Sequence, residues 1–200
     1  MKPYKMLSLN KSFLFFTLMY VCYINVYSQQ ACNGDEASCN KKYNEVAYLT
    51  THNAFNSTGD GFSAILPNQT KSLETQLNDG VRGLMLDVYD DNGTIILYHG
   101  VKFLGSKPLS YFLDTIKTFL DANENEIITI ILQNDPGVST AAIKADLDAA
   151  GLISYLHAQS KFTPWPTLQS MIEAGKRLVI FNEVNTQPSE DWYHHIWDYA

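Results

Sequence analysis

Two histidines, His52 and His99, each follow a short apolar run and have the chemistry of an acid–base pair. His52 stands in Thr-Thr-His-Asn-Ala-Phe after the run 45–50, and His99 stands in Leu-Tyr-His-Gly after the run 94–98. Imidazole has an ordinary pKa of about 6.5, so it can accept or release a proton near neutral pH. Attack of an internal hydroxyl on a phosphodiester needs both actions, together with a cation that neutralises the phosphoryl oxygens.

The segments that must position these side chains alternate between strand and helix patterns. Apolar, β-branched runs predict strands, and apolar residues at helical spacing predict helices. The predicted strands are 45–50, 81–88, 94–98, 127–133 and 177–182, and the predicted helices are 71–78, 108–122, 140–150 and 168–174. This alternation predicts an α/β fold with a parallel sheet covered by helices.

Polar residues at the carboxyl ends of these strands favour a TIM-type (β/α) barrel over an open sheet. His52, Asp87, His99 and Gln133 fall at or just beyond strand ends, which meet at one mouth of such a barrel. A complete eight-stranded barrel takes about 250 residues, and we count about five strands in this chain. We therefore expect this chain to be the first part of a longer protein, and the alternative is a permissive, incomplete barrel.

Three separated motifs resemble the X-region of phosphatidylinositol-specific phospholipases C, in particular the exported, single-domain branch of that superfamily. The motifs are THNAF at 51–55, QLNDGVRGLMLD at 76–87 and YHG at 98–100. Their order and spacing make the resemblance specific, and it extends from about Cys32 to about Phe181. The family fold is a distorted TIM-type barrel, which agrees with the strand pattern.

The resemblance implies a reaction and a role for each histidine. In the family, the inositol 2-hydroxyl attacks the phosphate, which yields a cyclic inositol phosphate and diacylglycerol. His52 matches the general base of the family, and His99 matches its general acid. The implied function is that of a phosphoric diester hydrolase or lyase acting on phosphatidylinositol-type lipids or anchors at a membrane surface.

The resemblance leaves the cation open. Asn53 and Asp87 match positions that bind calcium in the eukaryotic members, while Met85 and Gln133 stand where carboxylate ligands are usual. Metal-independent bacterial members carry an arginine at the position of Asp87. Two alternatives follow: Ca²⁺ is held by Asn53 and Asp87, or no metal is used and Asp87 orients His52.

Arg82 is a further candidate, because its guanidinium could bind the substrate phosphate. It lies five residues before Asp87, an odd offset that turns the two side chains of a regular strand to opposite faces. The alternative role for Arg82 is a structural ion pair at the base of its strand.

The first 28 residues have the layout of a secretory signal peptide, with three lysines and an apolar run over 12–27. The mature chain, 29–200, is then an X-like catalytic domain, interpreted as the N-terminal part of one, in a secreted or periplasmic protein. Export makes a disulfide between Cys32 and Cys39 chemically reasonable, with two free thiols as the alternative.

Two other functions fit parts of the pattern. A phosphodiesterase acting on glycerophosphodiester or sphingolipid headgroups would share the barrel, but such enzymes usually carry more carboxylate ligands around a metal. A non-catalytic barrel that binds a sugar phosphate would account for the missing carboxylates and the short chain. The net charge of −7 argues against nucleic acid as a partner. We expect a monomer that acts on a phospholipid or glycolipid.

Overall fold

The computed structural model of the chain describes residues 31–135, 137–184 and 190–199. The predicted signal peptide, at 1–28, lies outside these ranges. The longest helix within them has 14 residues, and no helix there combines the length and apolarity that a bilayer span requires.

Seven β-strands and four α-helices form the described part of the fold. The strands are β1 (Thr50–Thr51), β2 (Gly83–Asp91), β3 (Thr94–Leu97), β4 (Lys107–Pro108), β5 (Ile128–Asn134), β6 (Leu178–Asn182) and β7 (Tyr193–His195). The helices are α1 (Leu73–Asn78), α2 (Leu109–Ala122), α3 (Thr140–Ala149) and α4 (Leu168–Glu173). Apart from the first strand, every predicted element is present within three residues of its predicted bounds.

The strand predicted over 45–50 is mostly wrong. Only its last residue enters β1, and Tyr43–Glu45 forms a 3₁₀ turn. The Glu45 carboxylate accepts a hydrogen bond from the backbone nitrogen of Lys42 at 3.0 Å, and this capping favours the turn over an extended strand. The apolar side chains of Val46 and Tyr48 pack against the core without joining a strand.

All seven strands belong to one mixed sheet in the order β4-β3-β2-β5-β6-β7, with β1 also paired to β2. The strands β1, β2, β5, β6 and β7 are parallel, but β3 is antiparallel to β2 and β4 is antiparallel to β3. The expectation of a parallel sheet is corrected at these two strands. Asn92 and Gly93 both have positive φ angles, 56° and 89°, and form the tight turn that returns β3 along β2.

Apolar side chains cover both faces of the sheet. On the outer face, Leu84 and Leu86 of β2 join one core with the buried side of α2. On the inner face, Val179 and Phe181 of β6 belong to a second core together with Trp165. Because successive strand residues alternate between faces, β5 and β6 supply both cores, and their position between the two cores is fixed.

The predicted disulfide between Cys32 and Cys39 is present, with the two Cα atoms 5.1 Å apart. Both cysteines are buried in the inner core. Between them, the Asn33 side chain accepts a hydrogen bond from Ile127 N at 2.6 Å and donates one to Ile127 O at 3.3 Å. The N-terminal loop is therefore fixed against the residue that precedes β5.

The sheet is open over the described residues. Within them, β7 pairs with β6 alone, and no pairing joins β7 to β1 or β4. This arrangement agrees with the expected α/β fold, a distorted and incomplete TIM-type barrel.

Candidate functional site

Both histidines lie along one edge of β2. β5 occupies the opposite edge from Gly83 to Val88, so β1 and β3 must share the remaining edge. β1 pairs with the start of β2 and ends beside Leu84, whereas β3 returns from the far end and stops beside Val88. The two strands thus leave a gap beside residues 85–87, and the chain enters that gap from both directions.

His52 and His99 stand on either side of this gap. His52 comes one residue after β1, and His99 comes two residues after β3. The His52 side chain is exposed and that of His99 is half-buried, so both imidazoles can reach solvent. The antiparallel return of β3, which the sequence analysis did not predict, is what brings His99 to the same place as His52.

A tight turn follows β1 and directs the residues beside His52. Asn53 has a φ angle of +47°, in the left-handed region that asparagine tolerates better than most residues. The next residue, Ala54, donates its backbone N–H to Met85 O at 3.0 Å. The turn is therefore attached to β2 at Met85, the first of the three residues beside the gap.

Asn53 lies between Asp87 and His99. With its amide nitrogen toward Asp87, it donates to Oδ1 at 3.0 Å and Oδ2 at 3.2 Å, and its amide oxygen accepts from His99 Nε2 at 3.3 Å. The reverse orientation places the amide oxygen against the carboxylate and leaves the nitrogen a long 3.4 Å contact with Asn68. An ionised carboxylate can only accept hydrogen bonds, so we assign the first orientation.

Asp87 is a buried carboxyl group, 7% exposed, on the gap side of β2. Burial raises its pKa above the ordinary value of 3.8, while the nearby imidazoles of His99 and His52 lower that pKa and the charge of Glu183 raises it. Both histidines therefore act electrostatically on this carboxyl group. The structure brings together four predicted site residues: His52, Asn53, Asp87 and His99.

The other two calcium-type positions carry no carboxylate. Gln133 lies beside Asp87 in the β2–β5 register but is exposed, and Met85 has no oxygen to offer. Calcium takes six to eight oxygen ligands, mostly carboxylates and carbonyls. Among the residues that the structure describes, no group of three or more histidine, cysteine or acidic side chains is arranged for a metal ion. Of the four positions, Asp87 alone carries a carboxylate, and Asn53 and Gln133 carry amide oxygens.

Arg82 lies at the opposite end of β2 from this group. Its Nε donates to Glu126 at 2.6 Å, and its Nη1 donates to Leu77 O at 2.7 Å and Val81 O at 2.8 Å. Its guanidinium also stands 4.9 Å from the ring of Phe119. The structure does not bring Arg82 to the two histidines. Arg82 instead forms an ion pair at the base of its strand, which was the alternative role.

Three residues near the histidines were not predicted as site residues. Glu183 follows β6, and its charge acts on Asp87. The Gln69 side chain donates to His52 O at 2.9 Å, and the Gln76 side chain donates to Ala54 O at 2.8 Å. Gln76 lies within the second sequence motif, which was a signal, whereas contacts across a loop leave no local pattern for Gln69.

Large apolar side chains are exposed on the two loops that follow His52 and His99. Ile65 and Leu66 are 66% and 75% exposed, and Phe103 is 86% exposed. Ser63 N donates to Leu104 O at 2.8 Å, so the two loops are in contact. Together Ile65, Leu66 and Phe103 form an apolar rim beside the site, and such a rim is typical of a surface that meets lipid or another protein.

Comparison with known families gives this site its context. The family model described as PI-PLC X 1 matches residues 38–199, which is most of the chain. The chain belongs to this family, and the resemblance inferred from the three motifs is confirmed.

Relatives and a solved structure agree with the family match. A PI-PLC X domain-containing protein of Arabidopsis thaliana is 33% identical over 178 residues, which cover 78% of this chain and 40% of the relative. An uncharacterized secreted protein of Arthroderma benhamiae is 28% identical, with coverage of 84% and 39%. The chain therefore spans about two fifths of the length of these relatives.

Phosphatidylinositol-specific phospholipase C from Listeria monocytogenes has a similar fold, with a TM-score of 0.55 at 23% identity. The alignment covers 74% of this chain and 54% of that structure. At this level of identity the similarity concerns the fold, and it confirms the predicted class, a TIM-type α/β barrel in distorted form.

Proposed function

We propose that this chain is a secreted phosphodiesterase that cleaves phosphatidylinositol-type lipids, with His52 as general base and His99 as general acid. The observation that carries the proposal is the meeting of the two imidazoles with Asn53 and Asp87 in one gap beside β2. The name of the Listeria neighbour supports the substrate class, and the Arthroderma relative, which is called a secreted protein, supports export.

The reaction needs one proton transfer at each side of the phosphate. His52 takes the proton of the inositol 2-hydroxyl, and that oxygen attacks phosphorus. The bond from phosphorus to the glycerol oxygen breaks, and His99 gives its proton to that leaving oxygen. The products are a cyclic inositol phosphate and diacylglycerol. Asn53 holds His99 through its amide oxygen, and the Asp87 carboxylate fixes the orientation of that amide.

A divalent ion held by Asn53 and Asp87 is the alternative way to neutralise the phosphate. It requires the opposite orientation of the Asn53 amide, with the amide oxygen turned toward the carboxylate. Since neither Met85 nor Gln133 adds a carboxylate to the ligand set, we expect a rate that calcium does not control. Removal of calcium with a chelator is therefore predicted to change the rate by less than about threefold, which is small beside the several kcal/mol a catalytic metal ion supplies.

The apolar rim favours a lipid surface over a soluble substrate. Ile65, Leu66 and Phe103 stand on the loops that carry the two histidines, so a membrane that contacts the rim lies beside the site. This placement is the reason we prefer a lipid phosphodiester to a free sugar phosphate.

The decisive experiment is incubation of the purified, exported chain with vesicles that contain phosphatidylinositol. Release of cyclic inositol phosphate, followed by ³¹P NMR, is the expected result, with and without a calcium chelator. Vesicles of phosphatidylcholine or sphingomyelin, and soluble glycerophosphodiesters, serve as substrate controls.

Each other result has a distinct meaning. Preferential cleavage of a control substrate would mean that the enzyme acts on that headgroup and not on phosphatidylinositol. Binding of inositol phosphate by the folded protein with no turnover of any substrate would favour the non-catalytic barrel. A rate that disappears with the chelator and returns with calcium would assign Asn53 and Asp87 to a metal site.

A further inference from the structure

The turn that follows β1 is held by side-chain amides as well as by the backbone. Three successive carbonyls leave the sheet there, and each accepts one hydrogen bond from a later residue. His52 O accepts from Gln69 Nε2 at 2.9 Å, Asn53 O accepts from Asn56 N at 2.9 Å, and Ala54 O accepts from Gln76 Nε2 at 2.8 Å. Beyond the end of β1, the side chains of two glutamines thus satisfy backbone carbonyls that a neighbouring strand would otherwise satisfy.

The His52 carbonyl is the most consequential of the three. It belongs to the peptide that joins His52 to Asn53, and Asn53 adopts a left-handed conformation with φ at +47°. A residue other than glycine persists in this region where its surroundings hold it. Rotation of this peptide would redirect the side chains of both residues at once, and the hydrogen bond from Gln69 opposes that rotation.

Gln69 is itself held in place through its backbone. Asn56 O accepts from Asn68 N at 3.0 Å and from Gln69 N at 3.1 Å, while Thr58 N donates to Gln69 O at 3.3 Å. The buried Asn56 side chain also donates to Asn68 Oδ1 at 2.7 Å. The amide of Gln69 therefore extends toward His52 from a fixed part of the loop.

We propose that Gln69 is a positioning residue for the acid–base pair: its amide N–H holds the His52–Asn53 peptide and so aligns the base and the residue that bridges to His99. This inference rests on the proposed function. Gln76 has the same kind of contact but is 3% exposed and also donates to Lys71 O, so its removal would disturb folding. Gln69 is half-buried, and its side-chain amide donates to His52 O alone among the described residues.

Three single variants of the full chain test the proposal. Gln69→Met removes the donor at nearly the same length, and Gln69→Lys restores an N–H donor with sufficient reach. Gln169→Met is the matched control, because Gln169 is also half-buried and its amide donates to Glu173 at 2.9 Å on α4. The rate constants are measured with phosphatidylinositol vesicles, and the His52 imidazole signals are followed by ¹H–¹³C NMR.

We expect Gln69→Met to lower kcat by about tenfold or more, with KM within about twofold of the parent value, because small misplacements of catalytic groups have large effects on rate. Gln69→Lys should recover most of this loss, and Gln169→Met should lose nothing. The His52 signals should move in Gln69→Met and remain in place in Gln169→Met.

Two results would overturn the proposal. The first is that kcat and the His52 signals are unchanged in Gln69→Met. The second is that kcat falls only because Gln69→Met is partly unfolded at the assay temperature, as its melting curve would show. If the parent protein cleaves no substrate, the proposed function fails, and the NMR comparison still decides whether Gln69 positions His52.

Discussion

The two ends of the sheet place charged and polar side chains in contrasting surroundings. At the base, Arg82 is engaged by Glu126 and by backbone carbonyls, and Arg177 donates to the carbonyls of Leu120 and Asn123. At the gap beside β2, His52 is exposed and His99 shares a single amide with Asp87. The polar groups at the base are engaged by protein partners, whereas the two histidines at the gap are open to solvent.

This contrast explains why Arg82, the basic residue of the second motif, lies away from the site. A guanidinium presents five donors in a fixed fork, and at the base of β2 three of the contacts that Arg82 makes are to protein oxygens. Moving Arg82 to the gap would leave Glu126 without this partner. We propose that the base contributes to stability and the gap to chemistry, and the following predictions separate the two.

The largest expected effect is that of the histidines on rate. His52→Ala and His99→Ala should each lower kcat by about 10²–10⁴-fold, since each removes one proton transfer, with little change in thermal stability. A substrate with a p-nitrophenyl leaving group needs no proton on that oxygen. It should restore most of the rate of His99→Ala and little of that of His52→Ala. Equal rates for the two variants on this substrate would contradict the assigned roles.

Arg82 should show the opposite behaviour. Arg82→Met leaves the carboxylate of Glu126, whose side chain is 15% exposed, without its partner. We expect the free energy of unfolding to fall by about 2–3 kcal/mol, below the range for a fully buried pair. Urea denaturation measures this loss, and kcat should stay within about twofold of the parent value. A variant with parental stability and a much lower kcat would return Arg82 to a role in phosphate binding.

A histidine inside the barrel provides a contrast with the exposed pair. His194 is 2% exposed, and burial lowers its pKa to about 4. Below pH 6.5 the unfolded chain binds a proton that folded His194 does not bind, so stability falls as the pH decreases toward 4. One such group contributes a slope of at most about 1.4 kcal/mol per pH unit. His194→Gln should reduce the slope in urea denaturation between pH 7 and pH 5 and leave kcat unchanged; an unaltered slope would contradict this account.

The smallest predicted effect concerns Asp87, a residue at the gap that should affect both stability and rate. Because burial raises its pKa, the ionised carboxylate disfavours folding above that pKa, and this cost disappears at lower pH as Asp87 binds a proton. Asp87→Asn should therefore raise the melting temperature by a few degrees at pH 7, a gain that shrinks toward pH 4. Its kcat should fall. Thermal denaturation at both pH values tests the sign, and a lower melting temperature at pH 7 would contradict it.

Much of the fold follows from local patterns in the sequence. The run 127–133 predicts β5 within one residue of its observed start and end, because a strand buried on both faces is continuously apolar. The start of α2 is also predicted within one residue, since its apolar residues recur on one helical face. The strand at 45–50 failed because an apolar run does not show whether its backbone will find a partner.

The site was predictable where it depends on residue type and not where it depends on strand direction. His52 and His99 stand out because each follows an apolar run, but such a run is the same in either direction. Asn92-Gly93 was an available hairpin signal, and it fixes β3 as antiparallel. The ion pair of Arg82 with Glu126 joins residues 44 positions apart, so no local pattern could reveal it.

The register of the β2–β3 hairpin sets the distance between the two histidines. Leu97 is registered opposite Val88, and His99 follows Leu97 by two residues. A slip of one residue would turn the His99 side chain to the other face, and a slip of two would displace it by about 7 Å along the strand. Paired insertions on both sides of the Asn92-Gly93 tip would lengthen the hairpin without altering this count. The hairpin can therefore become longer without moving His99, provided that the same number of residues is inserted in β2 and in β3.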